Sequence, residues 1–291
     1  MCLVATPEHT LRIGELARRT GLSPEVLRAW ERRYALLQPT RTAGGFRLYG
    51  HADLDRVRRT KALVASGLGV AEAARLARGG EARRPDSAIE TDERAELAGR
   101  LDAALLSFDG EGGHVALDRL LGALTLETAI EAVLLPAVAR LGARWAAGEI
   151  SVAQEHFASN LVRARLLTFA VGWDQGGGRR ALLACPPGEL HDIALVAFGV
   201  ALHRQGWRIV YLGPDTPVSD LSEAARTVEP ALIVLAATDG RRFEPIRREV
   251  ARLARRSSLA IAGAGASAAL ARSLGVRHLA DGPVAAARAF A

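Results

Sequence analysis

The chain contains 291 residues, has a formal net charge of +6 and includes only two cysteines. This length allows two or three domains, and the composition is that of a globular protein with ample core material. Cys2 and Cys185 lie too far apart in sequence to indicate a disulfide framework or a zinc site, which favours a reducing compartment. No apolar run reaches the ~20 residues of a membrane span, and the N-terminus lacks a signal-peptide core, so we expect a cytoplasmic protein.

Arginines are concentrated near the N-terminus, which predicts a polyanionic partner for this part of the chain. Residues 11–22 have the pattern of a short helix that ends at Gly21. Ser23 and Pro24 then supply an N-cap and a first helical residue for a second helix, which extends to Tyr34. Two helices joined by a glycine turn predict a helix-turn-helix, whose second helix enters a major groove. The arginines between positions 11 and 61 include Arg18, Arg19, Arg28, Arg32, Arg33, Arg41, Arg47, Arg56, Arg58 and Arg59.

Two short extended segments around residues 44–45 predict a β-hairpin wing that carries Arg41 on one arm and Arg47 on the other. Two further helices are predicted at 51–65 and 70–77. Together with the helix-turn-helix, these elements predict a small winged-helix domain of mainly helical structure.

Three motifs of this domain resemble the winged-helix DNA-binding domain of the MerR family: residues 13–17 (IGELA), 27–34 (LRAWERRY) and 45–49 (GFRLY). The resemblance covers residues 10–78. It implies that the second helix contacts bases in the major groove and that the wing contacts the DNA backbone. It also implies that dimers bind a repeated operator in double-stranded DNA. The residues that we expect to contact DNA are Ser23, Arg28, Arg32, Arg33, Tyr34, Arg41, Arg47 and Tyr49. The aromatic residues that favour a role in the domain core are Trp30, Tyr34, Phe46 and Tyr49.

Residues 79–90 are rich in glycine, proline and charge, and we predict a linker there. Residues 91–174 contain Ala/Leu-rich runs at helical spacing, broken near Gly110 and Thr125, which predict a four-helix bundle. No heptad pattern is sustained, so a coiled-coil dimer is not expected.

One corner of the predicted bundle combines an indole with a Glu-His pair. Trp145 ends the third helix, and Ser151 and Gln154 form a capping box that begins the fourth. Glu155 and His156 lie in the first two turns of that fourth helix. From the residues alone, a core tryptophan beside a surface Glu-His pair is the favoured interpretation.

Apolar runs alternate with amphipathic segments from residue 178 to residue 291, which predicts a Rossmann-like, doubly wound parallel sheet. The predicted strands are 181–185, 208–212, 231–237, 258–262 and 277–280. The glycines in 263–265 follow a late strand and lack the third glycine of a dinucleotide-binding loop, so they are weak support for nucleotide binding.

In the first strand-to-helix loop of this sheet, Glu189 precedes His191 by two residues. Ligands bind at such strand ends, and a histidine hydrogen-bonded to a carboxylate can be a metal ligand. The alternative is a helix-start histidine beside a solvated glutamate, and the spacing alone favours this alternative.

Three motifs resemble those of cobalamin-binding proteins. Glu189-x-His191 resembles the start of the Asp/Glu-x-His-x-x-Gly signature, and residues 211–217 resemble the loop after the second strand of the same domains. A third motif consists of Trp145 followed, after nine residues, by Glu155-His156. It resembles the Trp-x9-Glu-His motif of adenosylcobalamin-binding, light-responsive regulators. With the MerR-like head in front, the chain resembles the CarH-type photoreceptor repressors nearly end to end.

This resemblance implies a site and a function. His191 would ligate cobalt, Glu189 would orient His191, and Trp145, Glu155 and His156 would contact the adenosyl group. In the dark, adenosylcobalamin would favour a homotetramer, a dimer of dimers, on operator DNA; light would break the cobalt–carbon bond and release the DNA. Further residues that the resemblance implies at the cofactor are Asp192, Gly213, Asp215, Thr216, Ala237, Thr238, Gly263 and Gly265.

The chain departs from the family pattern at four places, each occupied by alanine. At one of them, Ala236 or Ala237 stands where a serine is expected in the loop after the third strand. Ala194 replaces the final glycine of the signature, Ala262 replaces a glycine before the fourth helix of the sheet domain, and Ala146 stands where some relatives carry a histidine. One alternative is therefore a MerR-type regulator that senses another ligand, or cobalamin without light. A second alternative, a corrinoid enzyme module, is disfavoured by the DNA-binding head and the lack of a substrate domain, so we do not predict an enzyme.

Overall fold

The structure is a computed structural model that describes residues 11–42, 45–65, 70–78, 91–175 and 177–290. The chain divides into two compact units, Met1–Pro85 and Asp86–Ala291, and each is described by itself.

The first unit begins with the predicted helix-turn-helix. Helix α1 ends at Gly21, which adopts a left-handed conformation (φ 66°) that suits glycine. Ser23 caps α2 by accepting a hydrogen bond from the Val26 nitrogen at 3.4 Å, and Pro24 is the first residue of that helix. A short antiparallel hairpin and two helices follow, and the tip of the predicted wing at residues 43–44 lies outside the described residues. The elements are α1 (Ile13–Thr20), α2 (Pro24–Tyr34), β1 (Thr40–Arg41), β2 (Arg47–Leu48), α3 (His51–Ala65) and α4 (Val70–Arg78).

The core of the first unit contains two of the four aromatic residues predicted there. Trp30 and Tyr49 are buried, and Tyr34 is half-buried against the same core. Phe46 is 70% exposed, so its predicted core role is wrong. The hairpin pairing ends at Arg41 opposite Arg47, and Phe46 lies beyond that last pair, where its backbone bonds to Thr42.

The second unit begins with the helical bundle. Asp109 caps α6 and Thr125 caps α7, which confirms the two predicted breaks. A π-helical turn, Ile130–Leu134, joins α7 to α8 without a break; it precedes Pro136, which cannot donate a helical hydrogen bond. The sequence pattern did not predict this turn. The helices are α5 (Thr91–Leu106), α6 (Gly110–Ala123), α7 (Leu126–Ala129), α8 (Leu135–Ala146) and α9 (Val152–Leu167).

The rest of the second unit is a five-stranded parallel sheet with helices on both faces, which confirms the predicted fold class. The strands are β3 (Arg180–Ala184), β4 (Arg208–Gly213), β5 (Leu232–Ala236), β6 (Leu259–Ala262) and β7 (Arg277–Leu279). The helices are α10 (Ile193–Arg204), α11 (Val218–Val228), α12 (Arg247–Ala254), α13 (Ala268–Leu274) and α14 (Pro283–Arg288).

The strand order β4–β3–β5–β6–β7 places a topological switch point between β3 and β5. Ligands of such sheets bind in the crevice at the carboxyl ends of the strands on either side of that point. One apolar core extends from the bundle onto one face of the sheet, and a second core lies on the opposite face. Among the described residues, no helix is both long and apolar enough to cross a membrane.

Candidate functional site

The loop after β3 presents His191 at the carboxyl end of the sheet. The His191 side chain is 70% exposed, whereas Glu189 is buried. One carboxylate oxygen of Glu189 accepts a hydrogen bond from the His191 backbone nitrogen at 2.9 Å and lies 2.7 Å from Nδ1 of the ring. Because Nδ1 is occupied by the carboxylate, Nε2 is the ring nitrogen that remains for a metal ion.

The second oxygen of Glu189 joins this loop to the loop after β5. It accepts hydrogen bonds from the backbone nitrogen of Thr238 at 2.7 Å and from its hydroxyl at 2.8 Å. Burial alone would raise the pKa of Glu189, but the hydrogen bonds from His191 and Thr238 outweigh it and lower that pKa. Glu189 is therefore a carboxylate at neutral pH, and its charge orients His191.

Three predicted cofactor residues at the end of β4 and in the loop after it bond to the loop that carries His191. Asp215 accepts a hydrogen bond from the Gly188 nitrogen at 2.7 Å. Gly213 accepts one from the Cys185 nitrogen, and the Thr216 nitrogen donates one to the Cys185 carbonyl, both at 2.9 Å. Thr216 is buried and its hydroxyl donates to the Gly213 carbonyl at 3.2 Å, so it stabilises the loop; its contact with the cofactor stays a prediction.

Asp192 is turned into the protein. It is 2% exposed, and its carboxylate accepts hydrogen bonds from Arg163 on α9 at 2.6–2.9 Å and from the hydroxyl of Tyr211 on β4. The hydrogen bond to Asp192 holds the pKa of Arg163 above its usual value. Burial raises the pKa of Tyr211, and the hydrogen bond to Asp192 raises it further. Protein donors therefore occupy the carboxylate of Asp192, and its contact with the cofactor stays a prediction.

Cys185 lies beneath the same loop. Burial raises the pKa of its thiol to about 12, with smaller contributions from the carboxylates of Asp192 and Glu189. The thiol is therefore protonated at neutral pH and is a poor metal ligand.

A cavity of about 430 Å³ opens at the carboxyl ends of β5, β6 and β7, and its volume is in the usual range for ligand pockets. Its wall contains mostly small residues. Gly263 has φ 87°, and a Cβ there would lie 2.4 Å from the Ala237 carbonyl oxygen, so this position requires glycine. Gly265 packs equally closely on Asp239, outside the cavity lining. Residues that line the cavity include Ala194, Leu195, Phe198, Ala236, Ala262, Gly263, Ala266, His278, Asp281 and Ala286.

The corner between α8 and α9 carries the predicted Trp/Glu-His group on its surface. Trp145 is 47% exposed, so the interpretation as a core tryptophan is wrong. Glu155 accepts a hydrogen bond from the Ser159 hydroxyl at 2.5 Å, and His156 is exposed at 3.8 Å from Glu155. An exposed indole at the end of α8, with two polar side chains in the first turns of α9, can cover a flat group that has both apolar and polar edges.

The same side of α9 reaches the His191 loop. His156 and Arg163 are seven residues apart, which places them on one helix face about 10.5 Å apart along the axis. Arg163 bonds to Asp192, the residue after His191. The face of α9 that carries His156 therefore turns toward the His191 loop.

These residues fit a cobalt corrinoid with a nucleotide tail. His191 offers one oriented nitrogen, the cavity between small residues offers room for a tail, and the Trp145 corner offers a cover. Sequence reasoning found His191, Glu189 and the Trp145 corner. It missed Arg163 and the two polar cavity residues, His278 and Asp281. The position of His278 in the predicted strand 277–280, with Asp281 directly after that strand, was the available signal for this pair.

The arginines of α2 that are predicted to contact DNA are accessible to a polyanionic partner. Arg28, Arg32 and Arg33 are exposed. Arg47 on the wing is also exposed and donates to Glu31 at 2.8 Å. Ser23 is exposed and serves as the cap of α2.

Tyr49, a predicted DNA contact, and Arg56, one of the clustered N-terminal arginines, are both buried. Tyr49 is fully buried and its hydroxyl donates to Glu31 at 2.9 Å, so its side chain serves the domain core in this structure; its contact with DNA stays a prediction. Burial, followed by the hydrogen bond to Glu31, raises the pKa of Tyr49 to about 12. Arg56 is 7% exposed and pairs with Asp53 at 2.6 Å, so it stabilises the domain. The Arg41 side chain lies outside what the structure describes.

Comparison with known proteins matches both units. A family described as MerR HTH family regulatory protein matches residues 11–79, and two families described as B12 binding domain match residues 97–168 and 179–289. The chain is 34% identical over 253 residues to the HTH-type transcriptional repressor CarH of Myxococcus xanthus, covering 84% of this chain and 85% of CarH. The chain belongs to the CarH-type repressor family. The repressor CarA of the same organism is 35% identical over 230 residues, 78% of this chain and 76% of CarA.

Membership of the CarH-type family confirms the resemblance seen in the sequence: the protein is a MerR-type transcriptional regulator with cobalamin-binding domains. A Methanosarcina barkeri monomethylamine corrinoid protein shares the fold, with a TM-score of 0.58 and 19% identity over 68% of this chain and 98% of that chain. At this identity the similarity shows the fold alone.

Proposed function

We propose that this protein is a light-responsive transcriptional repressor, which binds operator DNA as an adenosylcobalamin-loaded oligomer in the dark and releases it in light. The observation that carries the proposal is the Glu189–His191 pair: a buried carboxylate holds Nδ1 of an exposed imidazole and leaves Nε2 for cobalt. The match to two repressors over most of the chain supports the same reading.

The lower side of the site is formed by the sheet. His191 would ligate cobalt through Nε2, and the Glu189 carboxylate would raise the basicity of the ring and fix its orientation. Ala236 and Gly263 would border the nucleotide tail in the cavity beside β5 and β6. Thr238 would act indirectly, by holding Glu189.

The upper side is formed by the bundle corner. Trp145 would pack on the adenine ring, and Glu155 and His156 would bond to the polar edges of the adenosyl group. When bound, adenosylcobalamin supplies a cobalt–carbon bond that light breaks. Loss of the adenosyl group would leave the exposed Trp145 without a packing partner, so the dark arrangement of α8 and α9 would no longer be favoured.

The DNA-binding side uses the exposed arginines of α2 as phosphate and base contacts. A tetramer, built as a dimer of dimers, would present several α2 helices to one operator and increase the apparent affinity through multivalency. Dissociation of the tetramer in light would remove that gain. The protein would act in the cytoplasm on double-stranded DNA, as a regulator and not as an enzyme.

The test of this function is to load the protein with adenosylcobalamin in the dark and to record absorbance and molar mass before and after green light. We expect a bound cofactor whose spectrum changes on illumination, together with a fall in molar mass. A His191→Ala variant should bind the cofactor more weakly and lose the lower-ligand spectrum. Absence of bound cobalamin, or the same mass in dark and light, would reject the proposal.

A second candidate function is the sensing of another ligand, or of cobalamin without light. Ala194 and Ala262 favour it, because both replace family glycines and both line the tail cavity. Thermal unfolding with cyanocobalamin and with adenosylcobalamin separates the two: equal stabilisation by both, with no light effect, favours the second candidate.

A further inference from the structure

Asp192 stands at the N-cap of α10 but does not cap that helix. Aspartate is among the preferred N-cap residues because its carboxylate accepts from the first-turn nitrogens. Here the side chain makes no such bond. It accepts instead from Nε of Arg163 at 2.7 and 2.9 Å, from a terminal nitrogen of Arg163 at 2.6 Å, and from the Tyr211 hydroxyl.

This ion pair joins α9, which would contact the adenosyl group, to the loop whose histidine would ligate cobalt. Arg163 lies on α9, on the face that carries His156, and Asp192 directly follows His191. Glu189 holds the His191 loop from one side through hydrogen bonds to Thr238, and Asp192 holds it from the other side through Arg163. Leu190, between them, is 68% exposed and provides no anchor of its own.

The geometry is specific. Arginine presents two nitrogens to one carboxylate, an arrangement that fixes direction as well as distance. Asp192 is 2% exposed, so removal of its cationic partner would leave a buried and uncompensated charge. Of its two partners, Tyr211 is neutral and can replace only part of that interaction.

We infer that Arg163 is a positioning residue for His191. Through Asp192 it holds the ligand loop against α9, so the lower-ligand histidine and the helix that carries His156 keep a fixed relation. This inference rests on the proposed function, because it assigns Arg163 a role in cobalt ligation by His191.

The test is a double-mutant cycle on the full chain. Hydroxocobalamin affinity is measured by absorbance in the dark for the wild type, Arg163→Met, His191→Ala and the double variant. We expect Arg163→Met to weaken binding about tenfold in the wild type and to have almost no effect in His191→Ala, because coupled residues are not additive. Arg140→Met is the matched control: it breaks an exposed pair with Asp102 in the same bundle and should change affinity less than about twofold.

Equal weakening by Arg163→Met with and without His191 would overturn the inference, since a purely structural effect is additive. If the wild type and His191→Ala bind cobalamin alike, the proposed ligation fails instead. In that case hydrogen exchange of the cobalamin-free protein still decides. The inference requires faster amide exchange in residues 188–192 of Arg163→Met than in the wild type, with β5 unchanged. Unchanged exchange in residues 188–192 would overturn it. If Arg163→Met does not fold, Arg163→Lys replaces it, and full wild-type affinity there would also overturn the inference.

Discussion

Thr238 donates two hydrogen bonds to one oxygen of Glu189, from its backbone nitrogen at 2.7 Å and from its hydroxyl at 2.8 Å. The other oxygen of Glu189 serves His191. The orientation of the proposed cobalt ligand therefore depends on the ends of two neighbouring strands, β3 and β5, and not on the His191 loop alone.

Replacement of Thr238 by valine should weaken cobalamin binding by about three- to tenfold, since it removes one hydrogen bond of about 1 kcal/mol and retains the backbone bond and the branched shape. Titration of cobalamin absorbance in the dark measures this change. Thr227→Val, at an exposed helical threonine that bonds to its own helix, is the control and should bind as the wild type does. Unchanged affinity in Thr238→Val would show that the backbone bond suffices to hold Glu189.

Replacement of Trp145 by alanine should weaken binding of adenosylcobalamin by about tenfold or more, because stacking of an aromatic side chain on a base contributes about 1–3 kcal/mol. Hydroxocobalamin lacks the adenosyl group, so its affinity should stay within about twofold of the wild type. Val115→Ala, at an exposed apolar residue of α6, controls for a general effect on the bundle. If Trp145→Ala weakens the binding of both cobalamins equally, Trp145 stabilises the fold and does not recognise the adenosyl group.

Replacement of Arg28 by alanine should weaken operator binding and reduce the slope of log affinity against log salt by about 0.9, the effect of one lost phosphate contact. Arg28 is exposed on α2. Arg19→Ala is the control, because Arg19 lies on α1 and bonds to Glu15. Fluorescence anisotropy at several salt concentrations measures operator affinity and its salt dependence for both variants. An unchanged slope in Arg28→Ala would show that Arg28 does not contact a phosphate of the DNA backbone.

Replacement of Tyr49 by phenylalanine should lower the free energy of unfolding by about 1 kcal/mol, since it removes the hydroxyl bond to Glu31 and keeps the buried ring. The pKa of Tyr49 is raised from 10.0 to about 12 in the folded protein. Its stabilising contribution is therefore complete below pH 10.0 and is lost as the pH rises toward about 12. Denaturant unfolding of both proteins should show their difference shrinking above pH 10.0, and a constant difference would contradict the account.

The features that sequence predicted well are local ones. Gly21 and Ser23 define a helix end and a helix start through their own backbone and side-chain chemistry, and the Ser151–Gln154 capping box does the same for α9. Glu189 and His191 are two residues apart, so their pairing is also local.

The features that sequence could not supply depend on contacts between distant segments. Arg163 and Asp192 are 29 residues apart, and no periodicity relates them. An aspartate at a helix start predicts a cap, and only the packing of α9 on α10 shows that it pairs elsewhere. Similarly, the exposure of Phe46 depends on where the wing pairing stops.

Light-responsive release of DNA is tested most directly by measuring operator affinity of the adenosylcobalamin-loaded protein in the dark and after green light. Both measurements use one protein concentration and one salt concentration. We expect operator affinity to fall by about 100-fold or more in light, because the multivalent complex dissociates into units that each bind the operator weakly. The cobalamin-free protein should bind as weakly as the illuminated one. Equal affinity in dark and light, with cobalamin bound in both, would contradict the account.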